Sequence, residues 1–130
     1  MVMAYWFLLI AALLPYSVLQ IARGKNFDNS RPRDGYADAE GVQKRALGAH
    51  QNSFEVFPFF AVSVLVALQA GMGGWMLNAF AVLWLVLRIA YIYAYLKDMP
   101  KLRSPLWMLS MVVCIAIITM PLWGPYPEGI

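Results

Sequence analysis

Charge is what this sequence has least of. Only 13% of its 130 residues are Asp, Glu, Lys or Arg, about half the share of an ordinary soluble domain. A single cysteine, Cys114, excludes a disulfide framework and a thiolate-ligated metal centre. One histidine, His50, is a poor metal site by itself. Repeats, low-complexity tracts and polar linkers are also missing, and with them the usual marks of a disordered chain. Neither a metal nor a nucleic acid is expected as a partner. What the sequence does hold is apolar: 62% hydrophobic residues, five Trp, seven Tyr and seven Phe, with a mean hydropathy of +0.61. A chain this short has no interior large enough to hide so much apolar surface from water. The surplus must face lipid, and the aromatics suit belts at the membrane interfaces.

Four apolar stretches are expected to span the bilayer, at about residues 2–22, 46–70, 75–96 and 105–123. Each approaches or exceeds the roughly 20 residues that a transmembrane helix needs. The first carries no charge before Arg23. It lacks a basic n-region and is longer than the h-region of a signal peptide, so it reads as an uncleaved helix. Pro15 should interrupt it, with a neighbour satisfying the freed carbonyl. Residues 23–45 form a polar loop with turn chemistry at Asn29, Ser30, Pro32, Asp34 and Gly35. Gly71, Gly73 and Gly74 make a tight turn, and Asp98 to Lys101 break the last two spans apart. The expected fold is an all-α, polytopic four-helix membrane bundle using the whole chain, residues 1–130, as one domain.

Sidedness follows from where Lys and Arg fall. Arg23, Lys25, Arg31, Arg33, Lys44 and Arg45 lie in or beside the first loop. Lys97, Lys101 and Arg103 lie around the third, and the glycine turn has none. The positive-inside rule therefore puts loops 1 and 3 in the cytoplasm and both termini on the opposite side.

The residues that break the hydrophobic pattern point to a site. Ionisable groups at membrane depth are costly and by default face the bundle interior. At 1.5 Å per residue, Glu55 lies about 15 Å along the second span from Arg45, and Arg88 about 13 Å along the third from Lys97. The matched depths predict an ion pair between Glu55 and Arg88. It serves either a site or the helix register alone. Asn52 shares the Glu55 face, and Arg88, Tyr91 and Tyr95 make a second stripe at spacings of three and four. With Arg103 opening the fourth span and Arg23 closing the first, the inner end becomes a basic, aromatic-lined pocket suited to a small polar anion. Asn52 as interhelical glue and Tyr95 as an interface aromatic are the plainer alternatives. His50 is off this face and is expected to cap or to sit at an interface. Cys114 reads as packing.

The run Ala49-His50-Gln51-Asn52-Ser53-Phe54-Glu55-Val56-Phe57-Pro58, followed by Arg88-x-x-Tyr91-x-x-x-Tyr95 and Leu102-Arg103-Ser104-Pro105, resembles the MAPEG family, the membrane-associated proteins in eicosanoid and glutathione metabolism. The resemblance covers roughly residues 23–114. It implies a homotrimer that binds glutathione, as co-substrate, near the cytosolic face between subunits, and that takes an apolar small molecule from membrane lipid. By resemblance Asn52 and Glu55 hold the glutathione backbone, Tyr91 and Tyr95 contact the tripeptide, and Arg88 supports Glu55. Arg103 matches the arginine that activates the thiol. A guanidinium can do this by stabilising the thiolate of a group whose pKa is ordinarily near 8.5. Several relatives carry arginine where this chain has Gly48, and some carry another where it has Gln51. Arg23, Lys25 and Arg45 are then the alternative carboxylate partners. Two functions follow from the resemblance: a glutathione-dependent transferase or peroxidase, or a non-catalytic member that binds another ligand or protein.

Overall fold

A computed structural model describes residues 2–24 and 27–127. Helices dominate, and among the described residues there is no strand. Four helical rods are long and apolar enough to cross a membrane. The first consists of α1 (Val2–Leu13), a 3-10 segment (Leu14–Val18) and α2 (Leu19–Arg23). The others are α3 (Gly41–Gln69), α4 (Trp75–Leu96) and α5 (Pro100–Trp123).

The interruption expected at Pro15 takes the form of a full 3-10 stretch. Pro15 has no N–H to donate, so the backbone bond to a carbonyl one turn earlier is missing. His50 Nδ1 comes within 2.5 Å of the carbonyl oxygen of Pro15 itself, so a side chain from α3 ties the first rod to its neighbour at the break. This is the capping role expected of His50. Its ring also meets Tyr16 and Phe54 edge-on, at centroid distances of 6.2 and 5.0 Å.

Two helices start earlier than the apolar stretches suggest. The helix of the second span begins at Gly41, because the first turns, which include Gln43, Lys44 and Arg45, are helical but too polar for hydrocarbon. The helix of the fourth begins at Pro100, where the fixed φ and missing N–H of proline suit a first helical position. Hydrophobicity marks where a helix enters lipid, whereas helix ends are set by backbone bonding.

Both sharp turns close with paired backbone bonds that satisfy the last carbonyls of a helix. After α3, the N–H groups of Gly71 and Met72 donate to Leu68 O and Ala67 O, with Gly71 at φ 85°. After α4, Asp98 and Met99 donate to Tyr95 O and Ala94 O, with Asp98 at φ 57°. These are Schellman ends, and the left-handed position is the one that favours glycine. In loop 1 the Asp28 carboxylate accepts the Ser30 N–H and hydroxyl at 2.9 and 2.7 Å. Those bonds hold its carboxyl below the usual range.

Packing divides into two layers. Toward the glycine turn, Phe60 of α3 stacks on Trp84 of α4 with ring centroids 3.9 Å apart, among Phe7, Val64, Leu77 and Ile117. Toward loops 1 and 3, the basic end of the bundle, the core is made of Ala22, Ala46 and Ala49 with Tyr91 and Ile92. Small residues there let the backbones of α2 and α3 approach closely, which is how membrane helices gain contact where hydrophobic burial gives no advantage.

Candidate functional site

Helix α3 presents different residues to its two neighbours at the basic end. Gln43 and His50 face the first rod: the Gln43 amide donates to Ala22 O and Arg23 O at 3.1 and 3.3 Å, and His50 meets Pro15. Arg45, Gly48 and Asn52 recur at spacings of three and four and face α4. Arg45 Nε donates to Leu96 O at 3.1 Å, Gly48 lies under Tyr95, and Asn52 meets Arg88.

A ladder of cations and aromatic rings rises from that contact. Arg88 is wholly buried. Its Nη2 donates to Asn52 Oδ1 at 2.6 Å, and its guanidinium carbon sits 4.1 Å from the centre of the Tyr91 ring. Tyr91 meets Tyr95 edge-on at 5.8 Å, and Arg103 lies 4.4 Å from the centre of the Tyr95 ring. The order is therefore Arg88, Tyr91, Tyr95, Arg103. Each cation rests on the negative face of a ring, an arrangement that contributes about 0.5–2 kcal/mol per contact. Two donors of Arg88, Nε and Nη1, have no partner among the described residues.

The expected ion pair between Glu55 and Arg88 is replaced by a relay. Asn52 stands between them, donating through Nδ2 to Glu55 Oε2 at 3.5 Å while accepting from Arg88. The depths do match, but the helical wheel turns Glu55 outward, where it is exposed, and leaves Asn52 facing α4. Among the described residues the one ion pair is that of Arg31 with Asp34, at 3.7 Å on the surface.

Of the expected site residues, Asn52, Glu55, Arg88, Tyr91, Tyr95 and Arg103 are thus brought together. Arg45 joins them but is engaged as a cap on the end of α4. Arg23 is set apart: its guanidinium lies 4.5 Å from the Phe27 ring and lines a cleft of about 320 Å³ with Tyr16 and Arg33. Lys25 falls outside the described residues.

Gly48 has a steric cause. A Cβ there would collide with the Tyr95 hydroxyl, so Tyr95 in this position excludes any larger residue at 48, arginine included. Sequence reading missed Arg33 and Tyr36, which fold back to line a groove of about 590 Å³ with Gln51 and Glu55. The turn residues beside them were the available signal. They show that the loop reverses but not which helix it reverses onto.

A helical membrane bundle with a buried arginine and cation–aromatic contacts at its basic end defines a class of integral membrane protein that carries a polar site among its helices. The MAPEG family model matches residues 2–123, and the chain belongs to the MAPEG family, membrane proteins of glutathione and eicosanoid metabolism. No curated protein and no solved structure matches the chain.

Proposed function

We propose that the protein is a glutathione-dependent membrane transferase or peroxidase acting on an apolar electrophile drawn from the bilayer. The observation that carries this reading is the ladder: Arg103, the residue matching the thiol-activating arginine, is held on Tyr95 in line with Tyr91, Arg88, Asn52 and Glu55. Glutathione would supply the nucleophilic thiol. Arg103 would favour its thiolate by charge, with Tyr95 positioning the guanidinium and Asn52, Glu55 and Tyr91 orienting the tripeptide. A permanent cation suits this task because arginine stays protonated at any physiological pH. Loops 1 and 3 would face the cytoplasm, and the working unit would be a homotrimer with glutathione between subunits. A trimer would give the outward carboxylate of Glu55 a neighbour in place of lipid.

A second reading, a non-catalytic member binding another ligand or a protein, is favoured by two specific observations. Tyr95 fills the space over Gly48, and Arg45 is committed to Leu96 O. The first leaves no room for a side chain at 48, and the second occupies one of the alternative partners for the glutathione carboxylates.

The test is calorimetric titration of the detergent-solubilised protein with glutathione, then turnover of a generic aromatic halide, with native mass spectrometry on the same sample for the subunit count. The catalytic reading predicts saturable binding and an ultraviolet thiolate band at neutral pH. Arg103→Ala should keep binding but lose the band and most turnover, an effect of about 2–4 kcal/mol by analogy with removing one oxyanion-hole donor. Arg103→Lys should recover part, since an ammonium lacks the planar fork. Absence of the band from glutathione-saturated wild-type protein would leave the non-catalytic reading.

A further inference from the structure

Loop 1 brings to the site a cation that lies outside every motif quoted above. The backbone around it is held by its own bonds: the Asp34 N–H donates to Arg31 O, that of Tyr36 to Arg33 O and that of Ala39 to Tyr36 O, each at 3.2 Å. Tyr36 ends the 3-10 turn Asp34–Tyr36 and packs on the small-residue core of the basic end. Turn and tyrosine together fix where Arg33 falls. It lines the groove of about 590 Å³ that Gln51 and Glu55 line from α3.

Arg33 is exposed and lies outside the surface ion pair of Arg31 with Asp34, the one such pair among the described residues. The Glu55 carboxylate is exposed as well, and its one hydrogen bond among those residues is the long contact from Asn52. One groove thus holds a guanidinium and a carboxylate that do not neutralise each other. A ligand that satisfies both must carry an anion and a cation close together. An α-amino acid head does so, because its carboxylate and ammonium share one carbon and both make charge-assisted bonds. In glutathione only the γ-glutamyl end has this form, the glycine carboxylate having no ammonium beside it. The other cations of the basic end are placed differently. Arg45 is committed to Leu96 O, Arg88 is buried against Tyr91, and Arg103 rests on Tyr95. Arg23 lies on Phe27 and shares the adjoining cleft with His50, away from the lining of the groove that holds Glu55. Position 48 has no room for a side chain.

We propose that Arg33 binds the α-carboxylate of the γ-glutamyl head of glutathione, with the ammonium of that head on Glu55. The inference rests on the glutathione reading above and adds to it a binding residue from loop 1. A planar guanidinium suits the task, because two of its N–H groups can donate in parallel to one carboxylate. The division of labour is then clear. Arg33 sets affinity for the head of the tripeptide, and Arg103 acts on its thiol.

The experiment is calorimetric titration of the full chain in detergent with glutathione and with 4-aminobutyryl-cysteinyl-glycine, which differs from it only in lacking the α-carboxylate. Wild-type protein should bind glutathione about tenfold more tightly than the analogue, the scale of one hydrogen bond between charged groups. Arg33→Gln should weaken glutathione about tenfold and leave the analogue unchanged, so that the two losses do not add. In turnover the same variant should raise KM for glutathione and keep kcat, as expected when binding is lost equally from the ground and transition states. Arg33→Lys should recover part of the affinity. Arg31→Gln, which removes the partner of Asp34 outside the groove, should bind as the wild type does. Unchanged glutathione affinity in Arg33→Gln, or equal losses for glutathione and the analogue, overturns the proposal and leaves the glutathione reading standing. So does a preference for glutathione that Arg23→Gln removes and Arg33→Gln preserves, which would move the carboxylate to the adjoining cleft. Wild-type protein that binds neither thiol refutes the glutathione reading itself, and this inference falls with it.

Discussion

Asn52 and Gly48 do most to shape the site, each through what it allows a neighbour to do. Asn52 gives the buried guanidinium of Arg88 its one hydrogen bond among the described residues. Asn52→Ala should therefore destabilise the protein by about 2 kcal/mol, the scale of a hydrogen bond to a charged group. In thermal melts Asn52→Ala and Arg88→Ala should be non-additive, the double change costing less than the sum. Glu55→Ala should couple to Arg88→Ala more weakly than Asn52→Ala does, since the relay passes through the amide. Simple additivity for both pairs would mean that the relay carries no energy. Gly48 matters through space. Gly48→Ala puts a methyl group into Tyr95 and should cost about 1–3 kcal/mol, the usual scale of overpacking. Gly48→Ala with Tyr95→Leu should recover part of that stability but no turnover, separating the steric role of position 48 from the chemical role of the tyrosine.

At the scale of elements, the first rod and α3 depend on each other through Pro15 and His50. The proline interrupts the helix, and the histidine ring meets the proline's own carbonyl at the break. His50→Ala removes the side-chain bond to that carbonyl and should destabilise by about 1 kcal/mol, the net worth of a hydrogen bond. Pro15→Ala allows ordinary helical bonding and draws the carbonyl at 15 back into the helix, so His50→Ala should cost less in that background. Thermal melts of the four proteins in one detergent measure the cycle. Equal costs of His50→Ala in both backgrounds would show that the contact does not compensate the break.

At the scale of the whole molecule, the separation of charge predicts orientation. Nine of the ten Lys and Arg residues lie in or beside loops 1 and 3, the tenth being Arg88 inside the bundle. A cysteine placed at Gly73 should react in intact cells with a membrane-impermeant reagent, and one placed at Gly35 should not; selective reaction at Gly35 would reverse the topology. Cys114 is buried in α5 and should give little background.

Composition and hydropathy alone determined that the chain is an all-helical membrane protein with four spans, because apolar length is a local property and the bilayer imposes one thickness on every span. The candidate site was also largely legible. Asn52, Glu55, Arg88, Tyr91, Tyr95 and Arg103 are costly residues in a hydrophobic background, and helical spacing orders them on faces without reference to other helices. Tertiary structure alone decided which of them touch. Matched depth brought Glu55 level with Arg88, but the rotation of α3 against α4 placed Asn52 between them. Rotation is set by packing of small residues such as Ala46 and Ala49, which composition does not encode. The same holds for Arg45, taken up by the end of α4, for Tyr95 over Gly48, and for Arg33, which a loop of irregular backbone returns to α3. Each is a contact between segments 18 to 51 residues apart, beyond the reach of any periodicity within one helix.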